Sequence, residues 1–252
     1  MLNINITPEL QSVAPQYVGG FLEAEVVNGP TPAALWQEIE ACSEQLRAAF
    51  DTTTIKQQAG IAATRAAYKA AGKDPSRYRP SCEQLARRVL QGKALFSINT
   101  LVDLGNLVSL ACGCSTAVLD REKIVGDTIN LGLGRPEEPY EAIGRGQLNI
   151  ADLPVFRDAE GAFATPTSDS VRTMCTEATT KVLIIINGYN GDAEKVKQAL
   201  EHTWQLLRKR QRRSAHRADG SSAIGVAANL TSYADGLAAL CRSATGSALG
   251  LF

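Results

Sequence analysis

A chain of 252 residues, 44% hydrophobic and 21% charged, can bury a sizeable core and is neither disordered nor fibrous in composition. Its 26 Lys and Arg balance its 26 Asp and Glu, so no net field draws it to nucleic acid or acidic membranes, and any such contact rests on local clustering. The longest apolar run, Val182 to Ile186, is too short to span a bilayer, and MLNINITPELQS lacks the cationic and apolar regions of a secretory signal.

In chain order, residues 16–29 are rich in β-formers and close on Asn28-Gly29-Pro30, which predicts a strand and a turn. Thr31 reads as the cap of a helix with Pro32 at its first position, and Leu35, Ile39, Cys42, Leu46 and Phe50 supply that helix's core face. An Ala-rich helix follows over Lys56 to Ala71. Ser81 and Gln84 read as a capping box for the next helix, which Gly92 ends in left-handed geometry. A further helix starts at Asn99. The spacing of Asn99, Asp103, Asn106 and Leu110 predicts a polar stripe on one face, while Leu101, Leu104 and Val108 turn into a core.

Thr128 to Leu133 and Leu153 to Phe156 read as short strands, with Asp158 and Gly161 turning the second. Val182 to Ile186 is the β-branched run of a central strand. Asp192 caps the last helix, whose core face is Val196, Ala199, Leu200, Thr203, Trp204 and Leu207. Beyond Ser214 the chain turns Ala-, Gly- and Ser-rich and reads as a short helix over Ala223 to Leu240 or as a tail. The irregular succession of helices and strands predicts an α+β fold, a mixed β-sheet flanked by helices. A division follows into residues 1–214 as the domain and 215–252 as an extension.

Six cysteines without an export signal read as reduced thiols of a cytoplasmic protein. Cys112 and Cys114 form a C-x-C without a second ligand pair, and His202 and His216 lie far off, so no metal is predicted. No internal repeat, phosphate-binding Gly loop, Ser-His-Asp spacing or C-x-x-C is present, and no cofactor is predicted.

Basic residues cluster twice. Arg77, Arg79, Arg87 and Arg88 lie in a stretch from Lys56 to Lys93 that holds only Asp74 and Glu83 as acids, and Arg208, Arg210 and Arg213 crowd the end of the last helix. The clusters read either as phosphate-contacting surfaces or as a solvated face whose arginines brace loops.

The run RYRPS followed by RR, then IN-x-x-VD-x-x-N-x-x-SL, then a Gly and an LD, resembles the B3/B4 domain of the phenylalanyl-tRNA synthetase beta subunit. Its AAGKDPSRYRPS lead-in is closer still to free-standing relatives of that domain. The resemblance, over roughly residues 10 to 190, implies a pocket between the Asn99 helix and the sheet. In the synthetase such a pocket hydrolyses the ester of a wrongly attached amino acid. It implies tRNA or aminoacyl-tRNA as partner, and Asn99, Asp103, Asn106, Thr165, Thr167, Asp169 and Thr173 as candidates for polar contacts. The alternative for the stripe is that it caps and cross-links loops in the interior. Ala117 stands where editing domains carry a histidine, and Ile185 where they carry a glutamate, so no catalytic residue is assigned. The expected function is tRNA-linked, with trans-editing of misacylated tRNA and non-catalytic binding of tRNA or a free amino acid as the two forms it takes.

Overall fold

The computed structural model describes residues 2–215, 226–232 and 239–242, and side chains as far as residue 209. The fold is α+β. At its centre is a five-stranded antiparallel sheet of β2 (Val18–Glu25), β3 (Ser115–Asp120), β9 (Lys181–Gly188), β10 (Val226–Ser232) and β11 (Ala239–Arg242), in the order β11-β10-β2-β9-β3. A second, mixed sheet holds β1 (Asn3–Ile6), β4 (Thr128–Leu133), β7 (Pro154–Arg157) and β8 (Ala162–Ala164), with β1 and β4 parallel. A two-stranded ribbon, β5 (Glu141–Ala142) and β6 (Gly146–Gln147), lies between β4 and β7 in sequence.

Alternation along β9 explains the layering. Val182, Ile184 and Ile186 join one apolar cluster with α2 (Ala33–Ala49), α5 (Thr100–Cys112) and α6 (Ala193–Ala215), while Leu183 and Ile185 join another with Ile129, Leu131, Phe156 and Phe163 of the second sheet. The central sheet is therefore covered on both faces, by helices and by a sheet. A strand covered on both faces must be apolar throughout, and the run at Val182 to Ile186 is. The helix α1 (Pro8–Val13) and α3 (Ala59–Ala70) contribute Leu10 and Ala67 to the second cluster, and α4 (Ser81–Leu90) packs Cys82, Ala86 and Val89 against Leu46, Ile61 and Leu110.

Four local expectations are corrected. The N-cap of α4 is Pro80 with no side-chain cap bond, so Ser81 and Gln84 form no capping box. Gln84 Nε2 donates instead to Arg79 O at 2.6 Å and Thr167 O at 3.1 Å. Thr31 does not cap α2, because its hydroxyl donates to the Asp103 carboxylate at 2.5 Å and Pro32 takes the cap position. The strand predicted from residue 16 begins at Val18, preceded by β1 and α1. Where a short helix was one reading of Ala223 to Leu240, Val226–Ser232 and Ala239–Arg242 are strands. β10 pairs with β2 from Val226↔Ala24 to Ser232↔Val18, which satisfies an edge that would otherwise be open. The last ten residues of the extension, 243–252, lie outside the described residues.

Other boundaries fall where local chemistry puts them. Gly92 (φ 67°) and Gly113 (φ 70°) end α4 and α5 in left-handed geometry, and the Asp192 carboxylate accepts from Lys195 N at 2.9 Å to cap α6. Among the described residues no helix is long and apolar enough to cross a membrane.

Candidate active site at the free edge of β3

β3 is an edge strand, and the space beyond it is enclosed by α4, α5 and the segment 165–169. This half-open cavity has a volume of about 570 Å³, within the range of small-molecule sites. α4 contributes Ser81, Gln84, Leu85 and Arg88; α5 contributes Val102, Gly105 and Asn106; β3 contributes Ser115 to Val118. Phe96, Ile143 and Arg145 also line it. Gly105 sets the width. A Cβ there would lie 2.3 Å from Val118 Cγ2, so only glycine lets α5 approach β3 this closely.

Loop hydrogen bonds fix the opposite wall. Thr165 Oγ1 accepts from the N–H groups of Thr167 and Ser168, each at 3.1 Å, folding the segment on itself. The Thr167 hydroxyl donates to Tyr78 O at 3.0 Å and accepts from the buried Tyr68 hydroxyl at 2.9 Å. Ser81 N donates to Pro166 O at 2.7 Å, and Tyr140 Oη to Ser168 O at 2.7 Å. The segment is thus tied to α3 and α4, and Asp169 is left on the cavity wall. It is the one carboxylate among the described residues lining the cavity.

Loss of water around Asp169 lifts its carboxyl to about 7, with the Val118 N–H on the strand edge opposing the rise. Two of its neighbours, a thiol and a phenol, stay neutral near that pH. Burial pushes the Cys175 thiol up to about 12 and raises the Tyr140 hydroxyl further still. The Asn106 amide, also on the wall, has no hydrogen-bond partner among the described residues. A carboxyl raised to about 7 therefore shares a small-molecule-sized space with an unengaged amide.

Of the residues proposed from sequence, Asn106, Thr165, Thr167 and Asp169 line this cavity, and Asn99, Asp103 and Thr173 do not. Asn99 is the N-cap of α5, accepting from Val102 N at 3.0 Å. Asn28 Oδ1 takes the neighbouring Leu101 N at 3.2 Å, so the turn at 28–30 completes the cap. Asp103 is fully buried and accepts from Thr31 Oγ1, from Ser97 Oγ at 3.2 Å and from Ile98 N at 3.2 Å. Thr173 is buried, with its hydroxyl on Phe163 O at 3.3 Å. The stripe divides because three residues of α-helix turn by about 300°, which leaves Asp103 and Asn106 roughly 60° apart. Asn99 lies outside the helix altogether (φ −162°).

The arginines divide in the same way. Glu83, fully buried on α4, sits among three of them: Arg87 Nε at 2.8 Å, Arg65 Nη1 at 2.9 Å and Arg79 Nε at 3.5 Å. Arg87 also donates to Thr52 O at 2.7 Å, so Arg79 and Arg87 brace the fold. Arg77 is exposed, 5.5 Å from the Tyr78 ring centroid, and Arg208 is exposed over Trp204 at the same distance. Arg88 lines the cavity; the side chains of Arg210 and Arg213 lie outside the described residues. Sequence reasoning missed Phe96, Arg145, Ser81 and Asn187 as lining residues, since they come from loops, a helix start and a strand end with no periodic signal.

Ala117 and Ile185 are partners across the β3–β9 ladder and belong to the same apolar cluster, Ala117 also facing the cavity. Cys112 and Cys114 are both buried, Cys112 Sγ accepting from Cys114 N at 3.4 Å. Among the described residues no group of three His, Cys, Asp or Glu is placed to hold a metal ion.

No curated protein matches the chain. The family model for the B3/4 domain matches residues 63–232, a stretch that runs from α3 to the end of β10 and contains every wall of the cavity. The chain belongs to the B3/4 domain family.

Proposed function

We propose that the cavity receives the aminoacyl group of an aminoacyl-tRNA and that the chain hydrolyses its ester in trans. The observation that carries this reading is Asp169: a carboxyl near 7 on the wall of a half-open, small-molecule-sized space. An aminoacyl ester is already activated, so positioning a water against its carbonyl supplies most of what hydrolysis needs. Asp169 would accept a proton from that water as it attacks the carbonyl carbon. Asn106 would donate to the oxyanion, and the proton would pass to the departing ribose oxygen as the ester C–O bond breaks. Thr165 and Thr167 would shape the far end of the cavity, where the amino acid side chain is selected. Arg88 and Arg145 stand at the same cavity with cations to offer the RNA backbone.

One observation favours the second reading, a binder of tRNA or a free amino acid without turnover. The cavity wall at Ala117 is apolar, and its ladder partner Ile185 is buried away from the cavity, whereas the resemblance places a histidine and a glutamate at these two positions of the synthetase domain.

A deacylation assay decides between them. The protein is mixed with a panel of correctly and wrongly charged tRNAs beside a blank for spontaneous ester loss. Hydrolysis of one class above the blank, reduced at least about tenfold in Asp169→Asn, is the expected result. Saturable binding with no hydrolysis across the panel would replace it with the binder.

A further inference from the structure

Phe96 is 67% exposed, the second most exposed large apolar side chain among the described residues, yet it lines the cavity. Its exposure is imposed by what holds its loop. Leu95 packs into the core beside it, and Ser97 Oγ and Ile98 N both donate to the buried Asp103 carboxylate. Arg88 Nε donates to Ala94 O at 2.7 Å, and its guanidinium lies 4.1 Å from the Phe96 ring centroid. The backbone is therefore pinned on both sides of an aromatic ring that points outward, and a cation is fixed against that ring. A ring left in water by disorder would not have such bracing.

From this geometry we infer that Phe96 and Arg88 form a stacking platform for the unpaired 3′-terminal base of an RNA. The inference rests on the proposed aminoacyl-tRNA reading and adds how the RNA end is gripped. An exposed aromatic face with an adjacent arginine is how proteins hold unstacked bases, the ring taking the base's π-face and the cation the phosphate beside it. Arg145, exposed and bonded to Gln84 at the same cavity, adds a second cation for the backbone. A base stacked on Phe96 would bring the ribose of that nucleotide, and the ester it carries, to the cavity mouth.

The test uses the full chain and a 5′-fluorescein RNA heptamer ending in unpaired adenosine, followed by anisotropy. Phe96→Ala is expected to weaken binding at least about fivefold, the lower end of one stacked base, while Phe96→Trp restores it. Removing the terminal base from the probe should reproduce the Phe96→Ala loss in the native protein and add nothing to it in the variant. Arg88→Ala should flatten the dependence of log affinity on log salt by roughly 0.7, the share of one phosphate on a single strand. Equal affinity in Phe96→Ala, or equal affinity for the abasic probe, would overturn the platform. The deacylation assay separates the two ideas. Hydrolysis with KM unchanged in Phe96→Ala removes the platform and leaves the hydrolase. Phe96-dependent RNA binding without hydrolysis removes the hydrolase and leaves the platform.

Discussion

Asp169 connects the cavity to pH. A carboxyl titrating at about 7 in the folded chain and near 4 in the unfolded one binds its proton more tightly when folded. Between those values the folded state holds the extra proton, so stability falls as pH rises from about 4 to about 7 and then levels off. Asp169→Asn should remove that slope and leave the variant more stable than the native chain at pH 8 by up to about 4 kcal/mol, a difference that urea midpoints at pH 5 and pH 8 would measure. A native chain with equal midpoints at the two pH values, once other titrations are matched by the variant, would place the carboxylate in water. Asp103 behaves oppositely. It is buried and holds Thr31, Ser97 and Ile98 together, so Asp103→Ala should cost about 2–3 kcal/mol by denaturant unfolding, because donors are left without an acceptor. It should also loosen the loop that carries Phe96. A stability change under about 0.5 kcal/mol would contradict the role of clamp.

At the scale of elements, α4 has two faces with different tasks. Its inner face carries Glu83 and Arg87, where Arg65 of α3 and Arg79 also converge; its outer face presents Ser81, Gln84 and Arg88 to the cavity. Removing one member of a buried ion cluster leaves uncompensated charge, so Glu83→Ala should cost about 3–5 kcal/mol, whereas Arg77→Ala, on an exposed side chain, should stay within about 0.5 kcal/mol. Calorimetric unfolding of both variants checks the contrast, and similar losses would mean that Glu83 is not the hub. α5 is likewise shared. Its N-terminus is bound by Asn28, Asn99 and the Gly29 carbonyl, and its middle turns Gly105 and Asn106 onto the cavity.

For the whole molecule, the five-stranded sheet is completed by a strand from late in the chain. β10 covers β2, so a chain ending at residue 215 would expose β2 as a long apolar edge. Such a truncation should lower the melting temperature and associate with rising concentration, read by light scattering. Unchanged stability and a monodisperse monomer would show that residues 216–252 add nothing to the sheet.

Periodicity, capping chemistry and β-branched runs are local properties, and they carried the α+β class, the amphipathic helices, the glycine ends of α4 and α5, the Asp192 cap and the β9 strand. The motif at Asn99 to Asn106 carried the family. Register at a helix start was not legible to the residue: Ser81 and Gln84 match a capping box in composition, but the Gln84 amide is taken by Arg79 O and by Thr167 O, the latter distant in sequence. The same limit separates Asn106 from Asp103, and Arg88 from Arg79 and Arg87. Each pair has similar chemistry and near-identical local context. Which member faces the cavity and which is consumed in bracing depends on the wall built by residues 165–169 and on where Glu83 is buried. Side-chain type and spacing are written in the sequence, whereas the partner each polar group meets, and hence whether it is free to act, is decided only when distant segments pack.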